Sequence, residues 1–117
     1  MQARAVMQDA AMCAADATVD QVAQLMIHRE VGAIVIIDLS ERPIGIVTDR
    51  DILRRIVAEG KNPLAYPVER CMSRPVVTVS VDEPLDHVAS RLRSHRIRRA
   101  PVVDAAGRCV GIVAEPV

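Results

Sequence analysis

The segment Gly45-Ile46-Val47-Thr48-Asp49-Arg50-Asp51 has a counterpart later in the chain, Gly111-Ile112-Val113-Ala114-Glu115-Pro116-Val117. Around these segments, a shift of 66 residues aligns Asp16–Asp51 with Asp82–Val117 without a gap. Nine of the 36 aligned positions are identical, and most of the other apolar positions match in kind. An internal repeat of this length indicates that the chain contains two copies of one supersecondary unit.

Each copy predicts the same order of secondary-structure elements. Apolar residues at helical spacing predict a helix that starts at a Thr18–Gln21 capping box, and Leu85–Leu92 repeats its stripe. Short β-branched runs on either side predict buried strands, and Gly60 predicts the end of a second helix in the first copy. The predicted strands are Ala10–Cys13, Ala33–Ile37 and Ile44–Val47 in the first copy and Val76–Val79, Ala100–Val103 and Val110–Val113 in the second, and the second helix is Asp49–Glu59.

This order predicts an α/β (α+β) fold of two strand–helix–strand–strand–helix repeats, packed sheet to sheet about a pseudo-two-fold axis. One such unit leaves one face of its sheet bare, so a pair is needed to bury it. We expect repeat 1 at 6–59, a linker at 60–67 and a C-terminally short repeat 2 at 68–117, all within one module. The last helix of repeat 2 is not in the sequence, either because the end at Val117 is natural or because it is a truncation. In the first case, residues 1–9 or a neighbouring subunit would cover the apolar strand surface that is left exposed.

Composition narrows the possible functions. The 15 basic and 15 acidic residues cancel, although a nucleic-acid binder normally carries a basic surplus. Tyr66 is the only aromatic residue, so no aromatic platform is available for stacking bases. Three dispersed cysteines favour reduced thiols, and no apolar run is long enough for a bilayer span. We therefore expect a cytoplasmic protein without a catalytic centre or metal site, and binding to a membrane or to nucleic acid is not expected.

The repeats resemble the CBS-domain family. The string Gly45–Asp51 fits that family's ligand motif, and His95–Asp104, which reads His-Arg-Ile-Arg-Arg-Ala-Pro-Val-Val-Asp, resembles its second-strand signature. The resemblance covers residues 6–117 and implies a tandem CBS pair, also called a Bateman module. It further implies clefts that take adenosine-containing ligands such as AMP, ADP, ATP or S-adenosylmethionine. Such modules associate in pairs and control an attached or separate partner protein.

Thr48 and Asp51 are the polar residues of the predicted ligand cleft. Strand Ile44–Val47 leads straight into a helix, so Thr48 and the free N–H groups of the first turn would favour a phosphate. The Asp51 carboxylate lies on the same side and can accept hydrogen bonds from both ribose hydroxyls. The same two residues also make an ordinary helix start, with Thr48 as the cap, and both roles can coexist.

The resemblance implies the remaining residues of the cleft. Adenine would lie between aliphatic side chains, and Arg98 would reach the phosphates, with Arg99 closer to the other cleft. The second cleft has Ala114 and Val117 where Thr48 and Asp51 stand, so one functional cleft is expected. The full set of predicted ligand-binding residues is Gly45, Ile46, Val47, Thr48, Asp51, Met72, Val77, Ile97 and Arg98.

Three functions compete on the sequence alone. The first is a regulatory sensor that binds an adenosine-type ligand, needs no obligatory cofactor and acts on a separate effector protein. The second is a ligand-free structural dimerisation module, since the degraded second cleft shows that ligand groups can be lost. The third is a nucleic-acid binder that uses the five arginines of residues 91–99, but the zero net charge disfavours it. A homodimer is expected, and an enzyme is not.

Overall fold

The computed structural model describes all 117 residues and contains one three-stranded sheet in each repeat. A short 3₁₀ helix lies at the start of each half, at Ala3–Ala5 and at Val68–Arg70. The first repeat contains β1 (Met12–Ala14), α1 (Val19–Arg29), β2 (Ala33–Ile37), β3 (Pro43–Thr48) and α2 (Asp49–Ile52), which continues as a π-helical turn, Leu53–Val57. The second contains β4 (Val79–Ser80), α3 (Leu85–Ser94), β5 (Arg99–Val103) and β6 (Cys109–Ala114).

The two sheets have the same topology and the same register. In each, the first strand pairs parallel with the second, and the second pairs antiparallel with the third. Ala33 pairs with Thr48, and the corresponding Arg99 pairs with Ala114. In both antiparallel pairs the register shifts near the end of the earlier strand, between Ile36 and Ile37 in β2 and between Val102 and Val103 in β5. The repeat in the sequence therefore specifies backbone geometry down to the position of a bulge.

The residues predicted to start and end the helices of repeat 1 do so, but the second helix is α-helical over a shorter stretch than predicted. Thr18 and Gln21 form the predicted capping box of α1, and Gly60 has a φ of 66°, the left-handed conformation expected after a helix. The helix predicted at Asp49–Glu59 is α-helical only to Ile52, because residues 53–57 are a π-helical turn. The strand predicted at Val76–Val79 is reduced to Val79–Ser80.

Each repeat completes its hydrophobic core with residues from the start of the other half. The first core contains α1, β2 and β3 side chains together with Val68, Cys71 and Met72 from the start of repeat 2. The second core contains the fully buried Ala3, and Val6 packs against it, both from the chain's first residues. Residues from 1–9 thus pack on repeat 2 at the place that 68–73 take on repeat 1, and whether they also cover the surface left by the missing last helix stays a prediction.

Main-chain hydrogen bonds hold both exchanged segments in place. Ser73 N–H donates to the Ile46 carbonyl at 2.9 Å, and Ile46 N–H donates back to the Ser73 carbonyl at 3.3 Å. At the equivalent place in the other half, Gln8 and Ile112 exchange two hydrogen bonds of 2.9 Å. The α+β fold of two pseudo-symmetric sheets is thus confirmed, and the halves are tied together by chain exchange. No helix in the structure combines the length and the apolar character needed to cross a bilayer.

Gly45 is required by the close approach of Met72. A Cβ at Gly45 would clash with Met72 Sδ and would lie 2.8 Å from its Cγ, and both residues are buried. Gly45→Ala should therefore lower the free energy of unfolding by about 1–3 kcal/mol through overpacking, as measured by urea denaturation.

A double-mutant cycle checks the cause of this loss. Met72→Ala alone removes a buried side chain and should cost about 2–5 kcal/mol. If the Met72 side chain is the obstacle, the double variant loses less stability than the sum of the single variants. Additive losses would show that Gly45 matters for another reason.

Candidate ligand-binding site

A cleft of about 370 Å³ opens between the end of β3 and the start of β5. Repeat 1 contributes the carboxyl end of its last strand and the first turn of α2, and repeat 2 contributes the residues after α3. The cleft therefore exists only when both repeats are assembled. Its lining residues are Ile46, Thr48, Asp49, Arg50, Asp51, Ser73, Arg96, Ile97, Arg98 and Arg99.

Thr48 and Asp51 form a reciprocal capping box at the cleft. Thr48 N–H donates to Asp51 Oδ2 at 2.9 Å, and Asp51 N–H donates to Thr48 Oγ1 at 3.2 Å. Both residues are half-buried. Asp51 Oδ1 accepts no hydrogen bond from the protein and so keeps an acceptor for a ligand. The capping role considered for these residues is confirmed, and it leaves room for the ligand role.

The N–H groups of this first turn are not free, in contrast to the sequence-based prediction. Besides the two N–H groups of the capping box, Asp49 N–H donates to the Gly32 carbonyl at 3.0 Å. Arg50 N–H donates to Asp49 Oδ1 at 2.8 Å. A phosphate in the cleft would therefore have to be recognised mainly by side chains.

The structure brings together five of the nine predicted site residues. Ile46 and Ile97, both half-buried, supply the two apolar side chains of the cleft, one from each repeat. The predicted residues that line the cleft are Ile46, Thr48, Asp51, Ile97 and Arg98. A ligand-binding role for these five stays a prediction, since the geometry shows proximity alone.

The other four predicted residues do not line the cleft. Val47 and Met72 are buried in the first core, and Gly45 is buried against Met72. Val77 is half-buried in the loop before β4. Gly45, Val47 and Met72 belong to the packing that holds β3 and the 71–73 segment in place, so their contribution to the site is structural.

Arginine side chains at the cleft were only partly anticipated from the sequence. Arg98 was predicted, and Arg99 was assigned to the other cleft, but Arg50, Arg96 and Arg99 also line this one. Arg99 lies between the two clefts and lines both. The signal available in the sequence was the cluster of five arginines at residues 91–99, which was weighed there chiefly as a surface for nucleic acid.

The pseudo-symmetric second cleft has a volume of about 280 Å³ and a different chemistry. Ile112 and Ala114 occupy the places of Ile46 and Thr48, and Gln8 occupies a place equivalent to that of Ser73. No residue of this cleft corresponds to Asp51, because the aligned residue is Val117. The two clefts are thus equivalent in backbone but not in polar groups.

The three cysteines are free thiols with raised pKa values. Burial and the nearby Asp16 carboxylate raise the pKa of Cys13 to about 11. The pKa of Cys71 is raised by burial and by Asp51, against a smaller lowering by Arg55. Burial also raises the pKa of Cys109. The structure contains no group of three or more His, Cys, Asp or Glu residues placed to hold a metal ion.

Comparison with known proteins identifies the family. The family model described as CBS domain matches residues 3–58 and 68–115, one match for each repeat. The chain belongs to the CBS domain family. Among curated proteins it is similar to the uncharacterized protein MK0525 of Methanopyrus kandleri, with 36% identity over 96 residues. That match covers 82% of the chain but 49% of MK0525, so the chain spans about half the length of this relative.

Solved structures of CBS proteins superpose on nearly the whole chain. The CBS domain pair of protein MJ0100, in complex with 5-methylthioadenosine and S-adenosyl-L-methionine, has a TM-score of 0.86 and 29% identity. That match covers 97% of this chain and 89% of the MJ0100 chain. Hypoxic Response Protein I, whose structure contains two coordinated zinc ions, has a TM-score of 0.87 and 28% identity, covering 98% and 93% of the two chains. The fold is therefore that of a CBS domain pair.

The raised thiol pKa values predict slow alkylation of the native protein. Because only the thiolate reacts, Cys13 with a pKa of about 11 should react with iodoacetamide at pH 8 about 100-fold more slowly than an exposed thiol. Mass spectrometry of peptides after timed labelling measures this for each cysteine. Labelling in urea is the control, since all three thiols should then react at one rate. Rapid native labelling of Cys13 would contradict the assigned environment.

Proposed function

We propose that the chain is a regulatory module that binds an adenosine-containing ligand in the cleft between β3 and β5. The observation that carries this proposal is the half-buried Asp51 carboxylate, held by Thr48 with Oδ1 unused, in a cleft that Ile46 and Ile97 line from the two repeats. A carboxylate suits the paired hydroxyls of ribose, and aliphatic walls suit the faces of adenine. The adenosine compounds bound by the MJ0100 CBS pair support the same ligand class.

Both repeats contribute to this cleft, so a ligand would contact both at once. Thr48 and Asp51 come from repeat 1, whereas Ile97 and Arg98 come from repeat 2. A ligand that contacts both halves stabilises the arrangement it binds and shifts the population towards it. We infer that this shift is the regulatory signal, read by a separate effector protein. AMP, ADP, ATP and S-adenosylmethionine are the candidate regulatory ligands.

Asp51→Ala should weaken binding of a ribose-containing ligand by about 1.5–3 kcal/mol, because it removes charge-assisted hydrogen bonds. Isothermal titration calorimetry with the tightest binder among adenosine, AMP, ADP, ATP, 5-methylthioadenosine and S-adenosylmethionine measures the loss. Asp51→Asn should retain an acceptor for Thr48 N–H, and so most of the stability, while also losing affinity.

Gln21→Ala is the matched control. It removes the side chain that accepts from Thr18 N–H at 3.0 Å in the capping box of α1, outside the cleft. It should lower the thermal midpoint to an extent similar to the capping loss in Asp51→Ala and leave affinity unchanged. Unchanged affinity in both Asp51 variants would remove Asp51 from the site.

We further propose that the module forms a homodimer through the outer face of α1 and the π-helical turn. Three large apolar side chains are exposed there: Ile27 at 81%, Leu53 at 60% and Val57 at 64%. Ile27 and Leu53 line the same shallow apolar groove of about 320 Å³. Contiguous exposed apolar surface of this kind is typical of protein interfaces.

Leu53→Arg should shift the chain towards the monomer, because it places a charge in the proposed apolar interface. Light scattering coupled to size exclusion, at protein concentrations from micromolar to millimolar, measures the mass. Leu39→Arg is the control, since Leu39 is fully exposed in the turn between β2 and β3, away from α1. A monomeric unaltered chain across this range would exclude the dimer.

A further inference from the structure

An apolar groove of about 410 Å³ lies at the end of the first sheet that is opposite to the ligand cleft. It is formed where β1 and β2 end and β3 begins. Along β3, Ile44 lines this groove and Thr48 lines the cleft, four residues further on, which corresponds to about 13 Å. The residues of this surface, which we call the Leu39 groove, are Cys13, Ala14, Ala15, Asp16, Ile37, Asp38, Leu39 and Ile44.

The apolar part of the Leu39 groove is open to solvent. Leu39 is fully exposed in the turn between β2 and β3, and Ile37 and Ile44 are half-buried. Contiguous apolar surface of this kind is typical of interaction sites. No cavity of the structure is lined by the equivalent residues of repeat 2, which are 79–82 and 103–105. The groove is therefore a feature of repeat 1 alone, although the two sheets have the same topology.

Asp16 is one of the two charged residues that line the groove, and its carboxylate is unpaired. It accepts no hydrogen bond within the protein, and neither ion pair of the structure includes it. Its counterpart in repeat 2, Asp82, accepts a hydrogen bond of 2.6 Å from Ser80 Oγ. Ala14 stands where Ser80 would be needed, so no hydroxyl is available to Asp16. The same aspartate is thus satisfied in one repeat and free in the other.

Asp38, the second charged residue of the groove, differs from its counterpart Asp104 in the same way. In both aspartates, Oδ1 accepts two main-chain N–H groups of its own turn. Arg108 Nε also donates to Asp104 Oδ2 at 3.3 Å, but Arg42 forms no ion pair with Asp38. The Arg42 side chain lies over Gly107 instead, where a Cβ would be 3.7 Å from its Nε. Asp38 Oδ2 is therefore left without a cation.

These charges determine which kind of partner the groove fits. A second copy seated on it through the same face would bring its own Asp16 and Asp38 against these two, and like charges disfavour association. A protein segment with an aliphatic side chain beside a lysine or an arginine meets both features of the groove. The aliphatic side chain would bury apolar surface against Leu39, and the cation would pair with the two free carboxylates.

We propose that the Leu39 groove is the docking surface for a segment of the effector protein in which an aliphatic side chain lies next to a lysine or an arginine. The inference goes beyond ligand binding and rests on the proposed function only in naming the effector as the partner. The docked segment and the ligand would contact opposite ends of one strand, β3.

Selection from a random dodecapeptide library displayed on phage tests the surface, with no adenosine compound present. The unaltered chain is the bait, and Leu39→Asp, a change at a fully exposed turn position, is the bait for counter-selection. The enriched peptides should carry leucine, isoleucine or valine next to arginine or lysine. Enrichment that is equal on the two baits, or enrichment of acidic peptides, would overturn the proposal.

Fluorescence polarisation with the most enriched peptide measures what each side chain contributes. Leu39→Ala should weaken binding by about tenfold, because it removes apolar contact area. Asp16→Asn and Asp38→Asn should each weaken it by about twofold to fivefold, the range of exposed ion pairs, and high salt should reduce these losses. Asp38→Asn retains the Oδ1 acceptor, so the turn between β2 and β3 stays intact.

Repeat 2 and the linker provide matched controls. Asp82→Asn and Asp104→Asn remove the same charge at the equivalent positions of repeat 2. Leu64→Ala shortens another exposed leucine, which lies outside the groove. All three should change the affinity for the peptide by less than about twofold. Losses as large as those of the groove variants would show a general effect of charge or hydrophobicity and would contradict the docking surface.

The remaining outcomes separate this proposal from the others. If Leu39→Arg turns a dimer into a monomer in the light-scattering measurement, a second copy occupies the groove and the proposal is wrong. If adenosine compounds bind and no peptide does, the docking surface fails and the ligand site stands. If peptides bind as expected and no adenosine compound does, the docking surface stands and the proposed ligand function fails.

Discussion

The exchange of segments between the two repeats is the constraint on which the rest of the structure depends. A three-stranded sheet with one helix cannot enclose its own core, and each half is closed by residues from the start of the other half. Val68, Cys71 and Met72 do this for the first repeat, and Ala3 does it for the second. Neither core is complete unless the whole chain is folded, so the two repeats are expected to unfold as one cooperative unit.

The exchange also places the candidate site. The 71–73 segment lies against β3 because Gly45 leaves space for Met72 and because Ser73 pairs with Ile46. Arg55 adds a second tie, donating to the Cys71 and Met72 carbonyls at 3.0 and 3.2 Å. The same packing that completes the first core thus sets one wall of the cleft, with Ser73 among its lining residues. The same contacts therefore contribute to stability and to the geometry of the site. A ligand bound in the cleft would act on the contacts that fix how the two repeats pack against each other.

The two clefts show how one backbone can carry two different sites. Their strands have the same register, and both are reached by Arg99. The difference is in a few side chains: Thr48 against Ala114, and Asp51 against Val117. Pseudo-symmetry therefore determines where a cleft forms, while the polar groups at its rim determine what chemistry it offers. In the proposed function the polar part of this chemistry comes from the Asp51 carboxylate.

The sequence by itself determined the local features, because these depend on neighbours in the chain. Short-range patterns predict the helical spacing, the Thr18–Gln21 capping box, the helix end at Gly60 and the repeated strand order. The family resemblance likewise rests on two short segments, Gly45–Asp51 and His95–Asp104. The tertiary structure alone decided which first-turn N–H groups were already satisfied, since the acceptor for Asp49 N–H is the carbonyl of Gly32. It also decided that Gly45, Val47 and Met72 pack behind the cleft, and that arginines from two separate segments meet around it. Arg50 is distant in the chain from Arg96, Arg98 and Arg99, so only the packing of the two repeats brings all four to one cleft.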